Sequence, residues 1–163
     1  MIENTGVATK EDLAQVEPSL ERREKGPVAV FECFQEIPCN PCYTSCRVGA
    51  VEEFKDINDL PHVDHDRCTG CGVCISHCPG LAIFVVDQSH QDYAVVRVPY
   101  EFLPVPSEGQ EVDALDREGN VVCRARVRKV QNAKSQDKTL VVWLEVPHEA
   151  AMTARNFRVV KDR

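Results

Sequence analysis

Four cysteines near the middle of the chain stand at fixed intervals, in Cys68-Thr-Gly-Cys71-Gly-Val-Cys74-Ile-Ser-His-Cys78-Pro79. The spacing is C-x2-C-x2-C-x3-C-P. Three thiolates this close in sequence suit separate corners of a four-iron cube, one thiolate to each iron. A single zinc ion would have to accept the same three in a cramped chelate. Gly70 and Gly72 let the backbone turn tightly and bring amides toward sulfur. Pro79 ends the helical turn after Cys78. These residue types at this spacing point to a thiolate-held [4Fe-4S] cluster.

A second group lies upstream, Cys33-x5-Cys39-x2-Cys42-x3-Cys46. Cys39, Cys42 and Cys46 align with Cys71, Cys74 and Cys78. The residues that follow also correspond, Cys46-Arg-Val-Gly-Ala-Val with Cys78-Pro-Gly-Leu-Ala-Ile. Cys33 stands in the place of Cys68, displaced by three residues, and Arg47 replaces Pro79. The chain therefore carries a degenerate two-fold repeat. For Cys33, Cys39 and Cys42 a [2Fe-2S] centre is an alternative, because x5-x2 is close to the plant-type x4-x2 spacing. A zinc site is a third reading. Eight of the nine cysteines fall between positions 33 and 78. Disulfides would explain that density in an exported chain. The polar, acidic stretch Met1 to Lys25 has no basic segment followed by an apolar one, so the expected compartment is the cytoplasm and the expected use is metal.

Residues 28–98 resemble the bacterial two-cluster [4Fe-4S] ferredoxin domain. In that family each motif gives three cysteines to one cluster and its fourth to the other. The resemblance implies one [4Fe-4S] cluster on Cys68, Cys71, Cys74 and Cys46, and a second on Cys33, Cys39, Cys42 and Cys78. The string Glu32-Cys-Phe-Gln-Glu-Ile-Pro-Cys-Asn-Pro-Cys42 is similar to the small ferredoxin-like subunits that accompany FAD-dependent amine or proline dehydrogenases of the opine oxidase and hydrogen cyanide synthase type. That likeness implies a non-catalytic electron-transfer subunit in a hetero-oligomer with a flavoprotein dehydrogenase, relaying single electrons between flavin and an acceptor. A freestanding soluble ferredoxin-type carrier and a zinc-stabilised interaction module are the competing readings.

The elements that must position the cysteines follow from pattern. Residues 1–26 read as a charged lead-in, in which Leu13, Val16 and Leu20 have helical spacing; a short docking helix and a loose tail both fit. Residues 27–98 form the cluster domain. Within it Val28 to Cys33 reads as a strand, and Ile83 to Val86 with Tyr93 to Val98 as a hairpin. Pro99, Pro104 and Pro106 mark a linker. Beyond it, Val112 to Leu115, Val121 to Val130, Leu140 to Val146 and Phe157 to Val160 read as strands, with a short helix around His148 to Ala154. The expected fold class is α+β: a ferredoxin-like domain followed by a small antiparallel β-barrel over 107–163. The barrel is expected to dock the partner and to be separable from the clusters.

The remaining features narrow the function. Net charge is −7, and residues 1–98 hold sixteen acidic against eight basic side chains. Such a surface repels phosphate backbones, which argues against nucleic acid. The longest strongly apolar run, Leu81 to Val86, is far shorter than the ~18 residues of a membrane span. His62 and His65 read as loop histidines, His77 as a surface residue beside a ligand, and Cys123 as a small core residue. Arg124 to Lys129 reads as one solvated strand face, with a docking surface for an acidic partner as the alternative. No paired carboxylates, nucleophile motif or phosphate loop appears.

Overall fold

In the computed structural model of the chain, residues 2–160 are described. Segments rich in β-branched residues pair into one seven-stranded sheet in the order β1-β2-β3-β6-β5-β4-β7. The strands are β1 (Val28–Phe31), β2 (Ile83–Asp87), β3 (Ala94–Tyr100), β4 (Glu111–Leu115), β5 (Val121–Gln131), β6 (Leu140–Val146) and β7 (Asn156–Val159). Every pairing is antiparallel. Side chains alternate between faces along a strand, so a strand apolar on both faces must lie between two layers. β1, β2 and β3 are buried throughout. Val30, Phe84, Val86, Val96 and Leu144 enter one core, which also holds Val112 and Val127. Ala29, Phe31, Ile83, Val85 and Val141 enter a second core, against which the cysteines pack.

The closed barrel expected over 107–163 is not formed. The sheet is open, and its strands continue directly from those of the cluster domain. Ala94–Tyr100 of β3 pairs with Val146–Leu140 of β6 along seven residues. Pro99, assigned to a linker by its type, lies inside β3 opposite Val141. The reason lies in β6: Val142 and Leu144 point to one core while Val141 and Trp143 point to the other. A small separate barrel could bury one of those faces, whereas the middle of a shared sheet buries both. The β2–β3 hairpin and the solvated face of β5 follow the pattern, with Arg124, Arg126 and Arg128 exposed between buried Ala125 and Val127. Cys123 is partly buried against the first core.

The lead-in folds onto its own chain as three short helices, α1 (Ile2–Thr5), α2 (Lys10–Val16) and α3 (Leu20–Glu24). Thr9 and Asp12 form a capping box on α2, and the Ser19 hydroxyl accepts from the Arg22 amide on α3. Val16 packs on the first core. Buried Arg23 pairs with Glu17 at 3.1 Å, and its carbonyl accepts from the Gln88 amide at 3.0 Å. Two further helices, α4 (Pro41–Ser45) and α5 (Val73–His77), lie in the cysteine segment. A buried ion cluster ties that segment to the C-terminal strands. The Glu32 carboxylate accepts from Arg117 at 2.6 Å and from Arg155 at 2.7 Å, with side chains only 8%, 17% and 3% exposed.

Candidate iron–sulfur centre

The sequence repeat is also a repeat of backbone shape. α4 carries Cys42 and ends on Cys46, while α5 carries Cys74 and ends on Cys78. The two terminal cysteines have nearly equal dihedrals, φ −77°, ψ 101° for Cys46 and φ −78°, ψ 111° for Cys78. Each accepts an amide four residues on, Ala50 N–H to Cys46 Sγ at 3.3 Å and Ala82 N–H to Cys78 Sγ at 3.5 Å. After that the halves diverge. Ile83 begins a full strand against Phe31, whereas its counterpart Val51 makes a single bridge to Val63.

The eight cysteines surround two hollows. Cys33, Cys39, Cys42 and Cys78 line one, beside Phe54 and Ile83. Cys46, Cys68, Cys71 and Cys74 line the other, beside Val51 and Val63. Phe31, at the end of β1, walls both. Each hollow thus draws three cysteines from one motif and one from the other. Electrostatic neighbours divide in the same way. Burial raises the pKa of Cys33, and Cys78 and Cys39 add to the rise. Burial pushes Cys42 up to about 11, with Cys78, Cys33 and Cys39 contributing. Burial raises Cys74 strongly, helped by Cys68, Cys71 and Cys46. At Cys46 burial is outweighed by amides of Val51, Ala50, Val48 and Gly49, and the pKa falls.

This donor set fits iron–sulfur chemistry. Packed thiols raise one another's pKa, and a cationic iron core would reverse that. Backbone amides already point at sulfur: Ala29 and Gly70 N–H donate to Cys68 Sγ, each at 3.4 Å. No three His, Cys, Asp or Glu side chains among the described residues converge on one point as a single ion would need. The thiols line hollows instead.

The loop around Cys68 depends on residues that motif reading passes over. Arg22 of α3 donates to four carbonyls: Cys68 at 2.6 Å, His65 at 2.7 Å, and Gly26 and Pro27 at 3.1 Å. Gly70 has φ +64°, and a Cβ there would sit 2.4 Å from the Pro27 carbonyl carbon. Arg97 of β3 donates to the Gly70 carbonyl at 2.8 Å. Its signal in the sequence is a lone charge in the otherwise uncharged strand Ala94–Tyr100. His77 hydrogen-bonds the Val73 carbonyl of its own helix at 2.8 Å. His62 is exposed; His65 is half-buried, and burial followed by Arg22 lowers its pKa.

The 4Fe-4S binding domain matches residues 61–84. Pyruvate synthase subunit PorD of Methanothermobacter marburgensis is 33% identical over 72 residues, covering 41% of this chain and 82% of that protein. The chain belongs to the 4Fe-4S binding-domain family. Its relative of the same name in Methanocaldococcus jannaschii is 40% identical over 47 residues, 29% of this ferredoxin-type chain and 52% of the relative. Thiosulfate reductase electron transfer subunit PhsB of Salmonella typhi is 41% identical over 39 residues, 24% of this chain and 19% of the relative. The chain thus spans about half of the jannaschii relative and about a fifth of the thiosulfate reductase protein. No solved structure matches it. No helix among the described residues is long and apolar enough to cross a membrane.

Proposed function

We propose that this ferredoxin-type chain is a non-catalytic electron-transfer subunit of an oxidoreductase complex, with one [4Fe-4S] cluster in each hollow. The observation that carries the reading is the crosswise grouping of cysteines, Cys46 with Cys68, Cys71 and Cys74, and Cys78 with Cys33, Cys39 and Cys42. Each bound cluster supplies reversible one-electron chemistry. The protein's own part is to hold the two sites side by side across Phe31, to donate amides to sulfur, and to keep water off the inner walls. The relatives are subunits of larger enzymes by their names, which supports a partner-dependent role. The string Glu32 to Cys42 favours a flavoprotein dehydrogenase as that partner, with electrons passing between flavin and an acceptor.

The test is composition and ligand crossing together. Anaerobically reconstituted chain should contain about eight iron and eight sulfide, the sum of two cubanes. Cys78→Ala should disturb the paramagnetic signal of the Cys33, Cys39 and Cys42 site, although Cys78 lies in the other motif. About six iron would favour a mixed pair, and about four with stoichiometric zinc would remove the second cluster. Loss of the Cys68, Cys71 and Cys74 signal alone would contradict the crossing.

A further inference from the structure

Arg97 is a buried cation turned toward the loop between Cys68 and Cys74. It is 9% exposed and stands between Val85 of β2 and Trp143 of β6. Its guanidinium carbon lies 3.7 Å from the centroid of the Trp143 ring. Nη1 donates to the Gly70 carbonyl at 2.8 Å, and a Cβ on Gly72 would sit 3.6 Å from the same nitrogen. Nε has no hydrogen-bond partner. Among the described residues Arg97 makes no ion pair, unlike Arg23, Arg117 and Arg155. The acidic side chains in electrostatic reach are Asp87 and Cys71. The Asp87 carboxylate already accepts from the Ser89 amide and hydroxyl and faces His90 at 3.7 Å. A guanidinium taken out of water without an adjacent counter-anion is strongly unfavourable. A negatively charged centre held by Cys46, Cys68, Cys71 and Cys74 supplies one.

We propose that Arg97 is a positioning charge that raises the reduction potential of the centre held by Cys68, Cys71 and Cys74. The assignment of Cys46 as fourth ligand rests on the two-cluster reading above; the role of Arg97 does not. One electron delivered by a reductant such as dithionite makes that centre more negative by one charge, with no bond formed or broken. A fixed cation nearby, shielded from water by the sheet, favours the reduced form over the oxidised one. Asp87 is unchanged in every variant below and cancels from the comparison.

The test is a redox titration of the anaerobically reconstituted full chain with dithionite, followed by electron paramagnetic resonance, with iron and sulfide counted on each sample. Arg97→Gln should make reduction of this centre about tenfold less favourable, equivalent to ~59 mV for one electron. The other centre should move less than threefold. Arg97→Lys keeps the charge and should stay within threefold of the parent. Equal potentials in the parent and Arg97→Gln would overturn the proposal. So would a Lys variant displaced as far as the Gln variant, because the shape of the Gly70 contact would then matter rather than charge. If Arg97→Gln does not retain iron, the uncharged Arg97→Met takes its place: a tenfold loss supports the role, and a parental potential rejects it. An iron count near four would remove the two-cluster reading yet leave this titration intact, since Cys68, Cys71 and Cys74 hold the centre in either case.

Discussion

Gly70 carries two separate constraints, and a control residue in the other half carries one. Its φ of +64° is costly for any residue with a Cβ, by about 1 kcal/mol. A Cβ there would also meet Pro27 backbone atoms at 2.4 Å, which cannot yield as a flexible side chain would. Gly49 has almost the same φ, +65°, with nothing within 4 Å of its added Cβ. Gly49→Ala should therefore cost about 1 kcal/mol and leave iron content unchanged. Gly70→Ala should cost at least about 2 to 3 kcal/mol and lower the iron content of the reconstituted chain. Denaturant titrations and iron assays on the two variants separate the effects; equal outcomes would show that Pro27 moves aside. The sequence made Gly70 visible as a turn residue. It could not show Pro27, because that neighbour is distant along the chain and no local pattern links the two.

At the scale of elements, α3 works as a clamp on the cluster loop through Arg22. Four carbonyls from residues 26, 27, 65 and 68 converge on one guanidinium, so a single side chain joins helix, β1 entry and loop. Hydrogen bonds from a charged donor are each worth about 1.5–3 kcal/mol when partly buried. Arg22→Ala should leave the sheet folded and speed iron loss to a chelator by roughly tenfold or more. Unchanged loss kinetics would reduce α3 to a surface decoration. The lead-in was only half legible in sequence. Helical spacing of Leu13, Val16 and Leu20 was visible, yet Pro18 and Ser19 split the run into α2 and α3. Its docking site was not visible, because the acceptors are backbone carbonyls and carry no side-chain pattern. The cysteine helices were legible for the opposite reason: their cysteines are side chains at fixed spacing, and equal spacing gave equal shape.

At the scale of the molecule, the boundary drawn at Pro99 to Pro106 separates segments that share a sheet. Local residue types mark prolines as breaks, but they do not reveal which distant strand will lie alongside. The β3–β6 pairing spans some forty residues of chain, and it decides the architecture. Removing 107–163 therefore exposes the length of β3 and takes Val141 and Trp143 from the core that packs on the cysteines. It also removes Arg117 and Arg155, the partners of Glu32. The Glu32 carboxyl pKa is lowered because those two arginines outweigh its burial. Its contribution to stability is thus complete above the ordinary carboxyl range and fades as pH falls through the lowered value. A chain ending at residue 106 should lose most of its bound iron and elute as aggregate, as iron assay and size-exclusion chromatography would show; a monomer with parental iron would restore the two-unit description. The order of the strands has a consequence for synthesis as well. β6 is sixth along the chain but lies against β3, so the wall of the cluster face is incomplete until residue 146 has left the ribosome. All eight thiols between positions 33 and 78 will have emerged long before then. The nascent chain must carry them through that interval without their final shelter, so iron loading before then meets a half-built face.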